Sequence, residues 1–140
     1  MIKAIGNPRG STAIELALIL PVLVLLLFGI VEFGLLFYNQ QIITNASREA
    51  ARAGIVAGSP RPTDSEIRSV ATSYCSDHLI TFGETNDLVI QIDPSESART
   101  SLSFGQDLKV TLSYNYGFLV LANFGFAPIN LKAQTVMKLE

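Results

Sequence analysis

The feature that most constrains this 140-residue chain is an uncharged apolar run close to its N-terminus. Sixteen consecutive residues from Leu16 to Val31 carry no charge, and a wider apolar stretch runs from Ile14 to Tyr38. Only Glu15 and Glu32 interrupt that stretch. A bilayer core of about 30 Å is crossed by about 20 helical residues, so the run can span a membrane. It is longer than the roughly 7–15 apolar residues of a cleaved secretory signal.

The charges on either side of the run predict its orientation. Lys3 and Arg9 precede the run. On the far side Glu49 lies between Arg48 and Arg52, which weakens the positive excess there. Positive residues beside a membrane helix favour the cytoplasmic side. We therefore predict a single-pass protein with its N-terminus in the cytoplasm and its C-terminal domain outside.

The remainder of the chain has the composition of one small soluble domain. Residues 39–140 hold eight Lys or Arg and ten Asp or Glu, without a basic run. Because nucleic-acid binding depends on clustered positive charge, we expect no nucleic-acid partner. The single cysteine, Cys75, is either a buried core residue or one half of a disulfide to another chain.

Helical patterns occupy the first half of the chain. Small and apolar residues at helical spacing extend the apolar run into one helix over about residues 12–56, with Pro21 bending its axis. Gly54 or Gly58 is expected to end this helix. A capping box of Thr63 and Glu66 then predicts a second helix over residues 64–79.

Three stretches in the second half of the chain predict strands, over residues 87–92, 106–116 and 129–140. In the last two, apolar and polar residues alternate, which is typical of a sheet with one buried and one wet face. We therefore predict an α+β fold, in which a three-stranded antiparallel sheet packs on the second helix and on the outer half of the first.

Residues 117–127, GFLVLANFGFA, are unusually apolar for a loop between two strands and too short to cross a bilayer. Two interpretations are open. The loop packs back on the core, or it forms an exposed patch that meets a partner or the membrane surface. The candidate docking patch consists of Phe118, Leu119, Phe124 and Phe126.

Residues suited to catalysis are scarce. His78 is the one histidine, and Cys75 lies three positions before it, but nothing in the sequence completes a triad or a four-ligand metal site around them. We therefore expect a protein that is not an enzyme and that holds no metal and no cofactor. The alternative is a membrane-tethered enzyme that uses His78 and Cys75.

Two carboxylates interrupt the apolar stretch. Glu15 and Glu32 are about 26 Å apart along a helix, too far to act as a pair, and could mark the two edges of the hydrocarbon core. A carboxylate inside a membrane segment is nevertheless costly and is a functional candidate. Arg9 is the nearby positive partner for Glu15, unless a new amino terminus is created beside it.

A set of N-terminal features occurs together in this chain: Arg9-Gly10, Glu15 five residues after Gly10, Leu20-Pro21, Glu32-Phe33-Gly34 and the segment NASREAARAG at 45–54. With these features the N-terminal sequence resembles that of TadE-like proteins, the pseudopilins or minor pilins of the tight-adherence (Flp, type IVc) pilus machinery. The closing segments VTLSYNY and INLKAQTVMKLE also resemble the last strands of that family.

The resemblance implies proteolytic maturation. A prepilin peptidase would cut between Gly10 and Ser11 on the cytoplasmic face. Residues 1–10 would then be the leader, residues 11–38 the transmembrane helix and residues 39–140 an extracytoplasmic α+β pilin-like domain. The new ammonium of Ser11 would pair with Glu15 of a neighbouring subunit, and the pairing would compensate two charges in an apolar environment.

The resemblance also implies a role and a set of partners. The role is that of a minor pilin or pseudopilin of the bacterial inner membrane, or of the pilus itself, which supports pilus biogenesis and adhesion or secretion. The partners are the prepilin peptidase, other pilins or pseudopilins, the inner-membrane pilus assembly platform and membrane lipid. Leu16 replaces the aromatic residue usual in major Flp pilins, which favours a minor subunit. The alternative is an unprocessed bitopic protein whose outer domain binds another envelope component.

Overall fold

The structure, a computed structural model, describes residues 8–58, 60–81, 88–99 and 104–139. It confirms the predicted α+β class, with a long N-terminal helix, a second helix and a three-stranded antiparallel sheet. A short 3-10 turn, Leu121–Phe124, follows the second strand. The helices and strands are α1 (Pro8–Ile55), α2 (Asp64–His78), β1 (Val89–Asp93), α3 (Glu96–Arg99), β2 (Asp107–Tyr116) and β3 (Ile129–Lys138).

Helix α1 has 48 residues, which corresponds to a length of about 72 Å. It begins at Pro8, before the predicted start near residue 12, because the fixed φ of proline suits a first helical turn. It ends at Ile55, between the two glycines predicted to end it. Gly54 instead has a packing role, since a Cβ there would lie 2.6 Å from Leu108 Cδ2 and 2.8 Å from Ile67 Cδ1. Its missing side chain lets α2 and β2 approach α1.

The exposure of α1 changes abruptly along its length. From Gly10 to Val31 the residues are exposed, apart from the half-buried Gly29. The helix continues through Pro21, and the bend expected there stays a prediction. Beyond Val31 one face of α1 is buried at helical spacing, through Glu32, Leu36, Asn39, Ile42, Ile43, Ala46, Ser47, Ala50 and Ala51. The domain therefore begins to pack on α1 at Glu32, within the stretch predicted to span the membrane.

The sheet has the order β1-β2-β3, with β2 paired antiparallel to both neighbours. Thr111 is a correction to the predicted alternation, because it is only 5% exposed although the pattern placed it on the wet face. It lies between Gln91 and Gln134 in the register of the central strand, so it has a neighbour on each side. The predicted inward-facing residues of β2 are all buried: Leu108, Val110, Leu112 and Tyr114.

Helix α2 forms the second layer of the core. Its predicted capping box is confirmed, because the Thr63 N–H donates to Glu66 Oε2 at 2.8 Å and the Glu66 N–H donates to Thr63 Oγ1 at 3.2 Å. The helix ends at His78, one residue before the predicted end. Cys75 is 2% exposed and packs in the core, which confirms the core interpretation of this residue.

Polar contacts fix the direction in which the domain lies along α1. Asn39 Nδ2 donates to the Ile80 carbonyl at 2.8 Å, and Asn39 Oδ1 accepts from the Ile80 N–H at 3.0 Å. Near the other end of α1, Gly54 meets Leu108 at the start of β2. Strand β2 therefore runs back along α1, and the connection from β2 to β3 lies at the end of the domain nearest the apolar run.

Candidate functional site

The predicted processing site lies at the beginning of α1. Gly10, Ser11 and Glu15 are all exposed, and beyond the adjoining backbone of α1 a Cβ built on Gly10 meets open space. Ser11 and Glu15 are four residues apart on one helix, so they share a face and are separated by about 6 Å along the axis. Among the described side chains, none pairs with the Glu15 carboxylate. The structure thus places the three residues together on an uncovered surface.

The segment that follows is suited to lipid. Within the described residues, α1 is the one helix long and apolar enough to cross a membrane, and its most apolar 18-residue window is 0% buried. A helix that exposes apolar side chains on every side is typical of a membrane span. The helix could therefore anchor the domain in a membrane.

Glu32 occupies the point where the apolar run meets the domain, and it is only 3% exposed. Its Oε1 accepts the Val120 N–H at 2.9 Å, and its Oε2 accepts the Leu121 N–H at 3.0 Å. Both carboxylate oxygens are thus used to hold the first turn of the 3-10 segment. Sequence reasoning treated Glu32 as an edge marker and missed this contact, because its partners lie 88 and 89 residues away.

The β2–β3 loop, residues 117–128, packs on α1 through part of its apolar side chains. Phe118 and Leu121 are buried and belong to the core. The Phe118 ring makes edge-on contacts with Phe33 on α1, with Tyr116 and with Phe126, at centroid distances of 6.4, 5.6 and 6.2 Å. The interpretation that the loop packs back on the core therefore holds for this inward side.

The other side of the β2–β3 loop is uncovered. Leu119, Phe124 and Phe126 are 53%, 60% and 53% exposed. Of the four residues named as a candidate docking patch, the structure thus leaves three on the surface and places Phe118 in the core. Gly125, with a φ of 86°, supplies the left-handed turn that ends the 3-10 segment and returns Phe126 towards Phe118.

Tyr116 lies beside Glu32 at the end of β2. Its ring is buried, and its hydroxyl has no hydrogen-bond partner among the described residues. Burial, the negative charge of Glu32 and the neighbouring Tyr114 raise the pKa of Tyr116 above its ordinary value. The phenol therefore stays neutral at physiological pH.

Cys75 and His78 lie in different environments. Cys75 faces the core, whereas His78 is exposed, stacks on Tyr74 at a centroid distance of 4.8 Å and places Nδ1 2.9 Å from the Tyr74 carbonyl. In the described part of the chain, no three His, Cys, Asp or Glu residues are grouped as metal ligands. The arrangement does not present the two side chains to a common substrate.

Burial determines the reactivity expected of Cys75. It raises the pKa of the thiol from 9.0 to about 11, so at pH 8 the folded protein holds about 100-fold less thiolate than the unfolded chain. We expect iodoacetamide to modify Cys75 rapidly in denaturant and hardly at all in the folded protein. Mass spectrometry of the two samples gives the measurement, and rapid native labelling would contradict the packing of α2.

The same shift in the pKa of Cys75 has a consequence for stability. Because the folded state binds the thiol proton more tightly than the unfolded state, this contribution to stability is fully present below pH 9. It is lost as the pH rises from 9 through about 11, because in this range the thiol of the unfolded chain ionises before the thiol of the folded protein. The expected sign is therefore destabilisation at alkaline pH.

Comparison with known proteins finds similarity in α1. Residues 10–52 match the family model described as TadE-like protein. The matched segment begins at Gly10, includes Glu15 and Glu32, and ends in the last turn of α1. No curated protein and no solved structure matches the chain. The segment that supplies the exposed apolar helix thus resembles TadE-like proteins, and this family suggests a membrane protein associated with the Tad pilus.

Proposed function

We propose that this protein is a minor pilin or pseudopilin of a tight-adherence pilus system. It is held by α1 in the bacterial inner membrane, with the domain on the extracytoplasmic side, and it supports pilus biogenesis and so adhesion or secretion. The observation that carries the proposal is the family match, which begins at Gly10 and includes Glu15. In this role the protein is the substrate of a prepilin peptidase and not itself an enzyme. Its other partners are pilins and the assembly platform.

The chemistry of the N-terminal surface supports this role. A carboxylate within an apolar segment is costly unless a positive group compensates it. Removal of residues 1–10 creates an ammonium on Ser11, one helical turn from Glu15. That ammonium and the Glu15 carboxylate of a neighbouring subunit, at similar depth, can neutralise each other. Both residues are exposed on α1, so a neighbouring helix has access to them.

The first test replaces Gly10 by alanine. We expect wild-type protein from native membranes to begin at Ser11 and the Gly10→Ala protein to retain residues 1–10, because a side chain at the cleavage position obstructs the peptidase. The substitution meets open space within the described chain, so folding is not at issue. Gly29→Ala is the matched control, since it lies in the same helix and also meets open space. Intact mass and N-terminal sequencing give the measurement.

A companion variant separates processing from assembly. Glu15→Ala is expected to be cleaved like the wild type but to lose co-purification with other pilin subunits, whereas Glu49→Ala, an exposed carboxylate of the same helix, keeps both. A wild-type chain that still begins at Met1 in cells with an active prepilin peptidase would contradict the proposal. The unprocessed bitopic alternative would then be favoured.

A further inference from the structure

We infer that the β2–β3 loop is a second membrane contact of this protein. Its exposed apolar face rests in the interfacial layer of the bilayer that α1 crosses, at the level of Glu32. This goes beyond the proposed function, because it requires only that α1 spans a membrane. It holds whether or not residues 1–10 are removed, and for either orientation of the helix.

The position of the loop along α1 is the first observation. Glu32 binds the loop at Val120 and Leu121. The next contact with the end of α2, between Asn39 and Ile80, lies seven residues later, or about 10 Å further along the axis. Among the described parts of the domain, the loop is therefore the one nearest the apolar run.

The apolar surface of the helix continues onto the loop without a polar gap. Leu119 and Val120 line one depression together with Phe28, Val31, Leu35 and the buried Glu32 of α1, and the exposed lining is apolar because Glu32 is only 3% exposed. Phe28 and Val31 belong to the segment of α1 that is exposed on all sides. Any layer of lipid that covers these two side chains therefore also reaches Leu119.

The composition of the loop suits lipid and not water. No charged residue occurs between Lys109 and Lys132, so the whole connection and its flanks are uncharged. The exposed side chains Leu119, Phe124 and Phe126 form an apolar patch of a kind that marks an interaction surface. Phe and Leu are the side chains with which peripheral elements enter the boundary between headgroups and acyl chains.

Five backbone N–H groups of the loop are paired within the protein, which favours a layer poor in water. Irregular backbone is tolerated there when its polar groups are paired within the protein. Glu32 accepts two of the N–H groups, and loop carbonyls accept three more. The five paired N–H groups belong to Val120, Leu121, Asn123, Gly125 and Phe126.

The length of the apolar segment of α1 is consistent with a membrane boundary at Glu32. About 20 residues cross the hydrocarbon core, so a boundary at Glu32 places the opposite boundary near residue 12. Beyond Glu32, Phe37 and Tyr38 are exposed on the face of α1 that the domain leaves uncovered, and they extend the apolar surface by about 9 Å. Apolar surface thus lies both on the loop side and on the uncovered side of α1, within about 9 Å of Glu32 along the axis, which a planar bilayer covers and a single partner helix does not.

The test places a tryptophan on the loop of the full-length protein in phosphatidylcholine vesicles. The natural chain has no tryptophan, so Phe124→Trp gives a single emission signal. We expect the tryptophan emission to be blue-shifted. We also expect lipids that carry bromine near the headgroup end of the acyl chains to quench most of this emission. Val136→Trp is the matched control, because Val136 is also an exposed apolar residue but lies seven residues along β3 from Ile129. It should emit as in water and be unaffected by bromine.

Each outcome of the fluorescence measurement either supports or overturns the inference. Quenching that is specific to Phe124→Trp and independent of the protein-to-lipid ratio supports lipid contact. Water-like emission without quenching overturns it. Blue-shifted emission that brominated lipid leaves unchanged also overturns it, since protein, for instance a second copy of the chain, would then cover the patch. Phe126→Trp repeats the measurement at a second exposed position if the first variant does not fold.

Discussion

Glu32→Ala is expected to destabilise the domain by about 2–4 kcal/mol and to release the β2–β3 loop before the rest unfolds. The substitution removes both acceptors of the Val120 and Leu121 N–H groups, and a buried donor left unpaired costs about 1–3 kcal/mol. Denaturant unfolding in detergent micelles, followed by tyrosine fluorescence, measures the loss. Amide hydrogen exchange should show the two N–H groups losing protection first.

Two further variants make the Glu32 prediction specific. Glu49→Ala removes an exposed carboxylate from the same helix and should change stability by no more than about 0.5 kcal/mol. Glu32→Gln keeps one acceptor oxygen but presents an N–H₂ to the second donor, so an intermediate loss is expected. If Glu32→Ala is as mild as Glu49→Ala, the carboxylate does not hold the loop and the description of this site is wrong.

The parts of the fold that sequence patterns predicted are those determined by neighbours in the chain. The capping box of Thr63 and Glu66 located the start of α2 at Asp64, and helical spacing placed the end of the helix within one residue of His78. Strict alternation located β2 and β3, because a period of two is visible without knowledge of the partner strand. The start predicted for the first strand, at residue 87, lies outside the described residues, and β1 is seen from Val89.

The elements that were not predicted depend on distant contacts. Helix α3 and the 3-10 turn have four residues each, too few for a periodic signal. The α3 segment is positioned by residues more than 30 positions away, since Glu96 Oε2 accepts the Asp64 N–H at 2.9 Å. The 3-10 turn is held by Glu32 in the same manner. Only tertiary structure brings these partners together.

The residues of the candidate site also divide into those that a local motif indicates and those that depend on distant contacts. Gly10, Ser11 and Glu15 form a local motif that can be recognised in sequence, and their role in processing and assembly stays a prediction. Glu32 could be flagged as costly in an apolar helix, but its use could not be assigned. A signal was nevertheless present, because an uncharged loop contains backbone donors that need acceptors and Glu32 is a buried acceptor. Phe118 packs inward, as the first interpretation of the loop requires, whereas Phe124 is exposed, and contact of this outward side with a partner or a membrane stays a prediction.

Arg99→Met is expected to cost about 3 kcal/mol of folding free energy, although Arg99 lies far from the proposed functional surfaces. Arg99 is 1% exposed, and its Nη1 lies 2.6 Å from Asp64 Oδ1. It also donates to the carbonyls of Pro94 at 3.2 Å and Pro62 at 3.1 Å. Methionine fills a similar volume but leaves these acceptors without their donor, and breaking one side of a buried pair is strongly destabilising. Denaturant unfolding of the full chain in micelles gives the value.

The fork geometry of Arg99, and not its charge alone, should account for most of this loss. Arg99→Lys keeps the positive charge but cannot reach two carbonyls and a carboxylate from one planar group, so it is expected to recover only part of the stability. Arg48→Met is the control, because Arg48 is exposed and makes one long contact of 3.5 Å to Asn45. Its cost should stay within about 0.5 kcal/mol. Full recovery with lysine would show that charge near Asp64 suffices, and that the two proline carbonyls are satisfied without the guanidinium.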